Sequence, residues 1–194
     1  MLWPASRHDC ARKTPYLSVP LRRRVVHLDE IGCLPVSVYL VRHAKAGSRS
    51  EFDGDDRDRP LTNSGRRQAE ELARRLAAVA PSTIVSSPYA RCVQTVEPLA
   101  VAADLEIRTS ELLGELGSEH ASVGQSVMKL IDTLPDGAVL CSHGDVIPAI
   151  IKALQDGGLK IRGDANWQKA SVWVLERIDG RFDRATSWPP PNVD

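Results

Sequence analysis

Two histidines and two arginines of this 194-residue chain have the chemistry to bind and transfer a phosphoryl group: Arg42, His43, Arg91 and His143. A guanidinium is planar and stays charged, so it can hold two phosphate oxygens at once. A neutral imidazole keeps a nitrogen lone pair at pH 7 and can attack phosphorus. A second imidazole can donate to the phosphoryl oxygens as their charge changes. Together the four side chains predict phosphoryl transfer that needs no metal ion or other cofactor.

All four residues follow short apolar runs that are typical of buried strands. The runs and the residues that follow them are 36–41 with Arg42 and His43, 83–85 with Arg91, and 138–142 with His143. A lone histidine at a strand end is more often a satisfied polar residue than a nucleophile. Four such groups at three strand ends favour a site instead, because ligands of open α/β sheets bind outside the carboxyl ends of the strands. We therefore expect three distant segments to meet in one crevice.

Helical patterns alternate with these apolar runs along the chain. Ala69, Leu72, Ala73 and Leu76 have the i, i+3, i+4 spacing of one buried helix face. Further helices are expected over 89–103, over 122–134 and after 144, and a hairpin is expected around Asp179-Gly180. The alternation predicts an α/β fold, a three-layer α/β/α sandwich with a mostly parallel central sheet.

The composition is that of an ordinary globular protein. Hydrophobic residues make up 42% of the chain, and 25 basic residues balance 25 acidic ones, so no net charge favours a nucleic acid polymer. No apolar stretch reaches the roughly 18–20 residues that cross a membrane. The four cysteines lack the spacing of a zinc site or a disulfide framework, which favours a cytoplasmic location. The sequence leaves the oligomeric state open.

Residues 1–35 differ from the rest of the chain, and we interpret them as an N-terminal extension to a single domain over 36–194. The extension is rich in arginine and proline and has no sustained hydrophobic period, so it is predicted to be flexible. A start codon assigned upstream of the real one would produce the same pattern. A basic docking arm is the alternative interpretation.

Three motifs occur in order: Leu-Val-Arg-His-Ala at 40–44, Ser-Ser-Pro-Tyr-Ala-Arg at 86–91 with Gln94-Thr95 after it, and Ser-His-Gly at 142–144. In this order and spacing they resemble the histidine phosphatase superfamily, whose fold is phosphoglycerate-mutase-like. The resemblance covers the chain from about residue 36 onward. It implies that His43 is the nucleophile that becomes phosphorylated. It also implies that Arg42, Arg91, His143 and Gly144 form the phosphate pocket.

The resemblance also implies a proton donor in the loop before the third helix, within a Leu-x-Glu pattern. Leu113-Gly114-Glu115 fits this pattern, so Glu115 is the first candidate. Glu111 is the second candidate and Glu119 the third. A surface role for each glutamate is the alternative.

Segment 58–62 and the small size of the chain resemble SixA-type phosphohistidine phosphatases. A protein phosphohistidine phosphatase is therefore the first prediction. The same region, with 45–48 and 54–56, also resembles the phosphatase half of some two-domain Nudix hydrolases, so a phosphatase of nucleotides or other small phosphoesters is the alternative. The expected partner is a phosphorylated protein or small molecule. A catalytically dead module that only binds phosphorylated partners is a further alternative. Mutase activity is not favoured, because the Trp-Glu-Gly motif of phosphoglycerate mutases is absent after Glu115.

Overall fold

The computed structural model describes residues 36–116 and 123–193, and these two stretches form a sheet with helices on both faces. The strands are β1 (Val36–Arg42), β2 (Thr83–Ser86), β3 (Ile107–Thr109), β4 (Ala138–Ser142), β5 (Lys160–Ile161), β6 (Val172–Ile178) and β7 (Arg181–Trp188). The helices are α1 (Asn63–Ala77), α2 (Ala90–Ala103), α3 (Val123–Asp132) and α4 (Val146–Asp156). The extension over 1–35 and the candidate Glu119 lie outside the described residues.

The central sheet has the strand order β3-β2-β4-β1-β6-β7-β5. β3, β2, β4 and β1 run parallel to one another, whereas β6 pairs antiparallel with both β1 and β7. The predicted mostly parallel sheet is confirmed. Because β2, β4 and β1 are parallel neighbours, their carboxyl ends lie side by side at one edge of the sheet, where the motif residues follow.

The helices cover the sheet in two layers, as expected for a three-layer sandwich. α1 and α2 pack on one face, where Leu72, Leu76 and Leu99 are buried with strand residues such as Val41. α3 and α4 pack on the other face, where their apolar side chains are buried with Val38, Leu40 and Leu140, the strand residues that point to that face. Burying apolar area on both faces supplies the main free energy of folding. No helix among the described residues is both long and apolar enough to span a membrane.

Local sequence accounts for most element boundaries. The Thr62 hydroxyl caps α1 by accepting from the Gly65 N–H at 3.0 Å. β4 is buried at all five positions, as a central strand with a layer on each face requires. β3 has only three residues, and the two-residue strand β5 was not predicted. Such short edge segments carry too few apolar residues to set a period.

Candidate active site

Backbone hydrogen bonds bring the three motif segments together at the carboxyl edge of the sheet. The His43 N–H donates to the Ser142 carbonyl at 3.0 Å, and the Ser87 N–H donates to the Cys141 carbonyl at 2.9 Å. These bonds extend the pairing of β1 with β4 and of β2 with β4 by one residue. The side chains that follow each strand therefore face one crevice.

His43 has the protonation state that a nucleophile requires. Its side chain is almost fully buried, and its Nδ1 donates to the Ala44 carbonyl at 2.8 Å. A carbonyl can only accept, so Nδ1 carries the proton and Nε2 keeps its lone pair. Burial lowers the pKa of His43 to about 3, and the positive charges of Arg91 and Lys169 act in the same direction. The imidazole is therefore neutral at physiological pH.

His143 stands against His43 and is held by a hydroxyl. The two rings meet edge to face with centroids 5.4 Å apart, and Tyr89 packs on the other side at 4.7 Å. The Ser87 Oγ lies 2.8 Å from Nε2 of His143. Nδ1 of His143 is buried and has no hydrogen-bond partner among the described residues. It can donate to a ligand when the ring carries a proton there.

Arg91 is completely buried, although it carries a charge. Its Nη2 donates to Glu115 Oε1 at 2.6 Å and lies 3.0 Å from Asp56 Oδ2, and its Nη1 donates to the Asp56 carbonyl at 2.7 Å. The guanidinium carbon sits 4.5 Å from the centre of the Tyr89 ring. Its Nε finds no hydrogen-bond partner within the described part of the chain. Two carboxylates thus balance the buried charge.

Arg42 and Gly144 contact each other beside this cluster. A Cβ at Gly144 would lie 2.5 Å from the Arg42 guanidinium, so only glycine leaves room for the arginine in this position. Arg42 also donates to the Trp167 carbonyl. Burial lowers the pKa of Arg42, and the charge of Asp145 opposes that effect. The two residues that were expected in the phosphate pocket are therefore in direct contact.

The structure separates the two described proton-donor candidates. Glu115 lies in the crevice, with Oε1 3.5 Å from Nδ1 of His143 as well as bonded to Arg91. Its loop is fixed because the Ser142 hydroxyl donates to the Leu113 carbonyl at 2.7 Å. Glu111 instead forms an exposed ion pair with Arg57 at 2.6 Å. Only Glu115 of this pair lies beside His143 and Arg91.

Sequence reasoning missed Asp56, which comes from the polar loop between β1 and α1. Burial raises its pKa, but the hydrogen bond from Arg59 and the charge of Arg91 outweigh that effect, and the net pKa of Asp56 is lowered. Thr95 was noticed only as part of a motif. Its hydroxyl accepts from the Ala44 N–H at 2.9 Å and so fixes the residue after the nucleophile. Nothing in the spacing of the acidic loop singled out Asp56.

The described residues hold no group of three or more His, Cys, Asp or Glu side chains arranged to bind a metal ion. The crevice holds the guanidinium of Arg91, whose charge Asp56 and Glu115 balance, beside the imidazoles of His43 and His143. Such a set fits an anion rather than a cation. A mostly parallel sandwich with paired histidines and a buried arginine at its carboxyl edge has a phosphoglycerate-mutase-like fold with a candidate anion site.

Comparisons with known proteins agree with this class. The model of the histidine phosphatase superfamily (branch 1) matches residues 38–124. The 8-oxo-(d)GTP phosphatase of Mycolicibacterium smegmatis is 36% identical over 159 residues, which cover 80% of this chain and 49% of the relative. The chain spans about half the length of the first curated relatives that it matches.

Solved structures show the same fold. A protein of Agrobacterium tumefaciens assigned as the phosphohistidine phosphatase SixA aligns with a TM-score of 0.57 and 25% identity, over 74% of this chain and 92% of that one. A mycobacterial glucosyl-3-phosphoglycerate phosphatase in complex with VO3 aligns with a TM-score of 0.61 and 21% identity, over 80% of this chain and 100% of that one. The chain is thus similar to the histidine phosphatase superfamily over residues 38–124 and has the fold of its solved members.

Proposed function

We propose that this chain removes a phosphoryl group from a small phosphorylated molecule by hydrolysis, through a covalent phosphohistidine at His43. The observation that carries the proposal is a pair of buried nitrogens with no hydrogen-bond partner among the described residues, Arg91 Nε and His143 Nδ1, beside a neutral imidazole. Buried donors are almost always hydrogen-bonded, so two such groups around one nucleophile indicate a place for an anion. A phosphoryl group supplies the acceptor oxygens that both donors need.

The proposed reaction has two steps. Nε2 of His43 attacks phosphorus, and the bond from phosphorus to the leaving oxygen breaks with its electron pair on that oxygen. Water then attacks the phosphohistidine, releases inorganic phosphate and restores the neutral imidazole. Arg91 and His143 stabilise the phosphoryl oxygens in both steps, and this charge makes a metal ion unnecessary. Metal independence is part of the proposal.

Glu115 is proposed as the proton donor for leaving groups that would otherwise depart as alkoxides. It lies beside His143 and Arg91, where the transferred group would be bound. A well-placed general acid contributes about 10²–10⁴ in rate. A leaving phosphate or imidazole needs this help less than a sugar or glycerate oxygen does.

Among substrates, we propose a nucleoside phosphate as the first class. The likeness at 36% identity to an 8-oxo-(d)GTP phosphatase supports it. The burial of the reacting residues supports it as well, because His43 is 5% exposed and His143 is 1% exposed. A terminal phosphate on a flexible chain can reach such residues more easily than a short side chain of a folded protein can. A protein phosphohistidine, the first prediction from the sequence, is the second candidate, and the SixA likeness at 25% identity supports it.

The test is phosphate release from guanosine 5′-diphosphate, from a phosphorylated histidine-carrier protein and from 3-phosphoglycerate, with wild type and His43→Ala side by side. We expect turnover of the diphosphate and an acid-labile phosphoenzyme, both absent in His43→Ala. Arg91→Ala should weaken inhibition by vanadate, whereas the matched variant of the exposed Arg108, Arg108→Ala, should not.

Other outcomes would identify a different substrate class, a different nucleophile or a protein without activity. Preference for the carrier protein would favour the second candidate, and turnover of 3-phosphoglycerate alone would refute both. Full activity of His43→Ala would show that another residue is the nucleophile. Phosphate binding without turnover of any substrate would identify a dead binding module instead of an enzyme.

A further inference from the structure

A polar cleft of about 660 Å³ lies beside the active site, between the start of α1 and the loop before β6. Side chains that line it include Lys45, Gln68, Asn166, Gln168 and Lys169, and segment 189–193 closes it on one side. Its volume falls within the range of about 300–1,000 Å³ that small-molecule sites occupy. None of the described residues that line it is acidic.

Lys169 connects this cleft with the nucleophile. The next residue, Ala170, donates its N–H to the carbonyls of Arg42 and His43 at 3.1 and 3.2 Å. Burial lowers the pKa of Lys169, and neighbouring cations that include Arg42 and Arg59 lower it further. Lys169 in turn is one of the charges that lower the pKa of His43. Its ammonium group therefore lies within electrostatic reach of the reacting imidazole.

Lys45 is held at the other side of the cleft, two residues after His43. Its N–H donates to Gln68 Oε1 at 3.0 Å, and its carbonyl accepts from the Thr62 N–H at 2.9 Å and from the Thr62 hydroxyl at 3.0 Å. Gly65 permits this approach, because a Cβ there would collide with the same carbonyl. The backbone of Lys45 is therefore fixed while its exposed side chain lines the cleft.

We propose that Lys45 and Lys169 bind the phosphate next to the one that is transferred, and that the cleft holds the nucleoside. Two cations in a cleft wall without a carboxylate repel each other until an anion binds between them. The amide side chains of Gln68, Asn166 and Gln168 can pair with the edges of a base or with ribose hydroxyls. The inference rests on the proposed function and makes it specific for diphosphates over monoesters.

The two lysines also suit the leaving group of that reaction. When His43 attacks the terminal phosphorus of a nucleoside diphosphate, the bond to the bridging oxygen breaks. The electron pair stays on that oxygen, which becomes part of the leaving nucleoside monophosphate. Positive charge at this position stabilises the new negative charge, so the step needs no proton.

The experiment is calorimetric titration of the His43→Ala protein, which cannot turn substrate over, with guanosine 5′-diphosphate and guanosine 5′-monophosphate. Lys169→Gln and Lys45→Gln in this background should each weaken diphosphate binding about tenfold, the loss expected for one charge-assisted contact. Monophosphate binding should weaken less, and Lys169→Arg should restore most of the diphosphate affinity. Lys152→Gln is the matched control, since Lys152 is exposed on α4 and pairs with Asp156 at 3.2 Å.

Equal diphosphate affinity in the lysine variants and their parent would overturn the inference, and so would the absence of diphosphate binding at millimolar concentration. Equal weakening of both nucleotides would overturn the assignment to the second phosphate. These outcomes are separate from the phosphoenzyme assay. If the wild type forms phosphohistidine but neither lysine substitution changes diphosphate affinity, the proposed function stands and only this binding site is refuted.

Discussion

The buried neutral state of His43 predicts a specific dependence of stability on pH. Burial lowers its pKa in the folded protein from 6.5 to about 3, whereas the unfolded chain keeps the ordinary value. Between these two values the unfolded state binds more protons than the folded state, so the free energy of unfolding rises with pH and reaches its full value above about 6.5. Below pH 6.5, each pH unit changes the free energy of unfolding by about 1.36 kcal/mol. Acidification from pH 7 to pH 5 should therefore lower the free energy of unfolding by about 2 kcal/mol through His43 alone.

The assay is urea unfolding of wild type and His43→Asn at pH 7 and pH 5, followed by tryptophan fluorescence, for which the buried Trp173 is a reporter. Asparagine is polar but does not titrate, so the variant should lose about 2 kcal/mol less than wild type between the two pH values. Carboxylates and other groups that titrate in this range are common to both proteins and cancel in the difference. Identical losses in wild type and variant would refute the argument that His43 is held neutral by burial.

Three further variants test the pocket and the residues that support it. Gly144→Ala should push the Arg42 guanidinium aside and raise the vanadate inhibition constant about tenfold, with little loss of thermal stability because a flexible side chain gives way. Glu115→Gln should lower turnover of a sugar phosphate about 10²-fold or more and that of a diphosphate much less, whereas Glu111→Gln should change neither. The same Glu115→Gln protein should bind vanadate more tightly than wild type. Gly65→Ala should cost about 1–3 kcal/mol in urea unfolding, because a backbone carbonyl cannot give way as a side chain can.

The part of the site that follows strands was predictable from the sequence. A strand that is covered on both faces must be apolar throughout, so segment 138–142 is recognisable as a central strand. The polar residues that follow it must then lie at the carboxyl edge of the sheet. His43 and His143 come directly after β1 and β4. Their ring centroids lie 5.4 Å apart because β1 and β4 are parallel neighbours in the sheet. The three-layer class followed from the same alternation.

The loop contributions were not predictable in the same way. Asp56 reaches Arg91 because of how the loop between β1 and α1 folds, and no hydrophobic period constrains such a segment. Lys169 approaches the site because β6 returns antiparallel beside β1, a pairing that the strand pattern alone does not specify. Loops and antiparallel returns depend on tertiary contacts, and these contacts determine which polar side chains surround the strand-end residues.

The two carboxylates on Arg91 explain how a fully buried arginine can serve a site that awaits its substrate. A guanidinium with no exposed surface needs counter-charge, and Asp56 and Glu115 supply it. In the proposed reaction, a phosphoryl group at Arg91 Nε brings negative charge to the same guanidinium and repels both carboxylates. The proposed role of Glu115 as proton donor would relieve this repulsion, because a carboxyl that holds a proton for the leaving oxygen carries no charge. Tighter vanadate binding by Glu115→Gln would follow from this exchange, and unchanged or weaker binding would show that Glu115 and the phosphoryl group do not compete for Arg91.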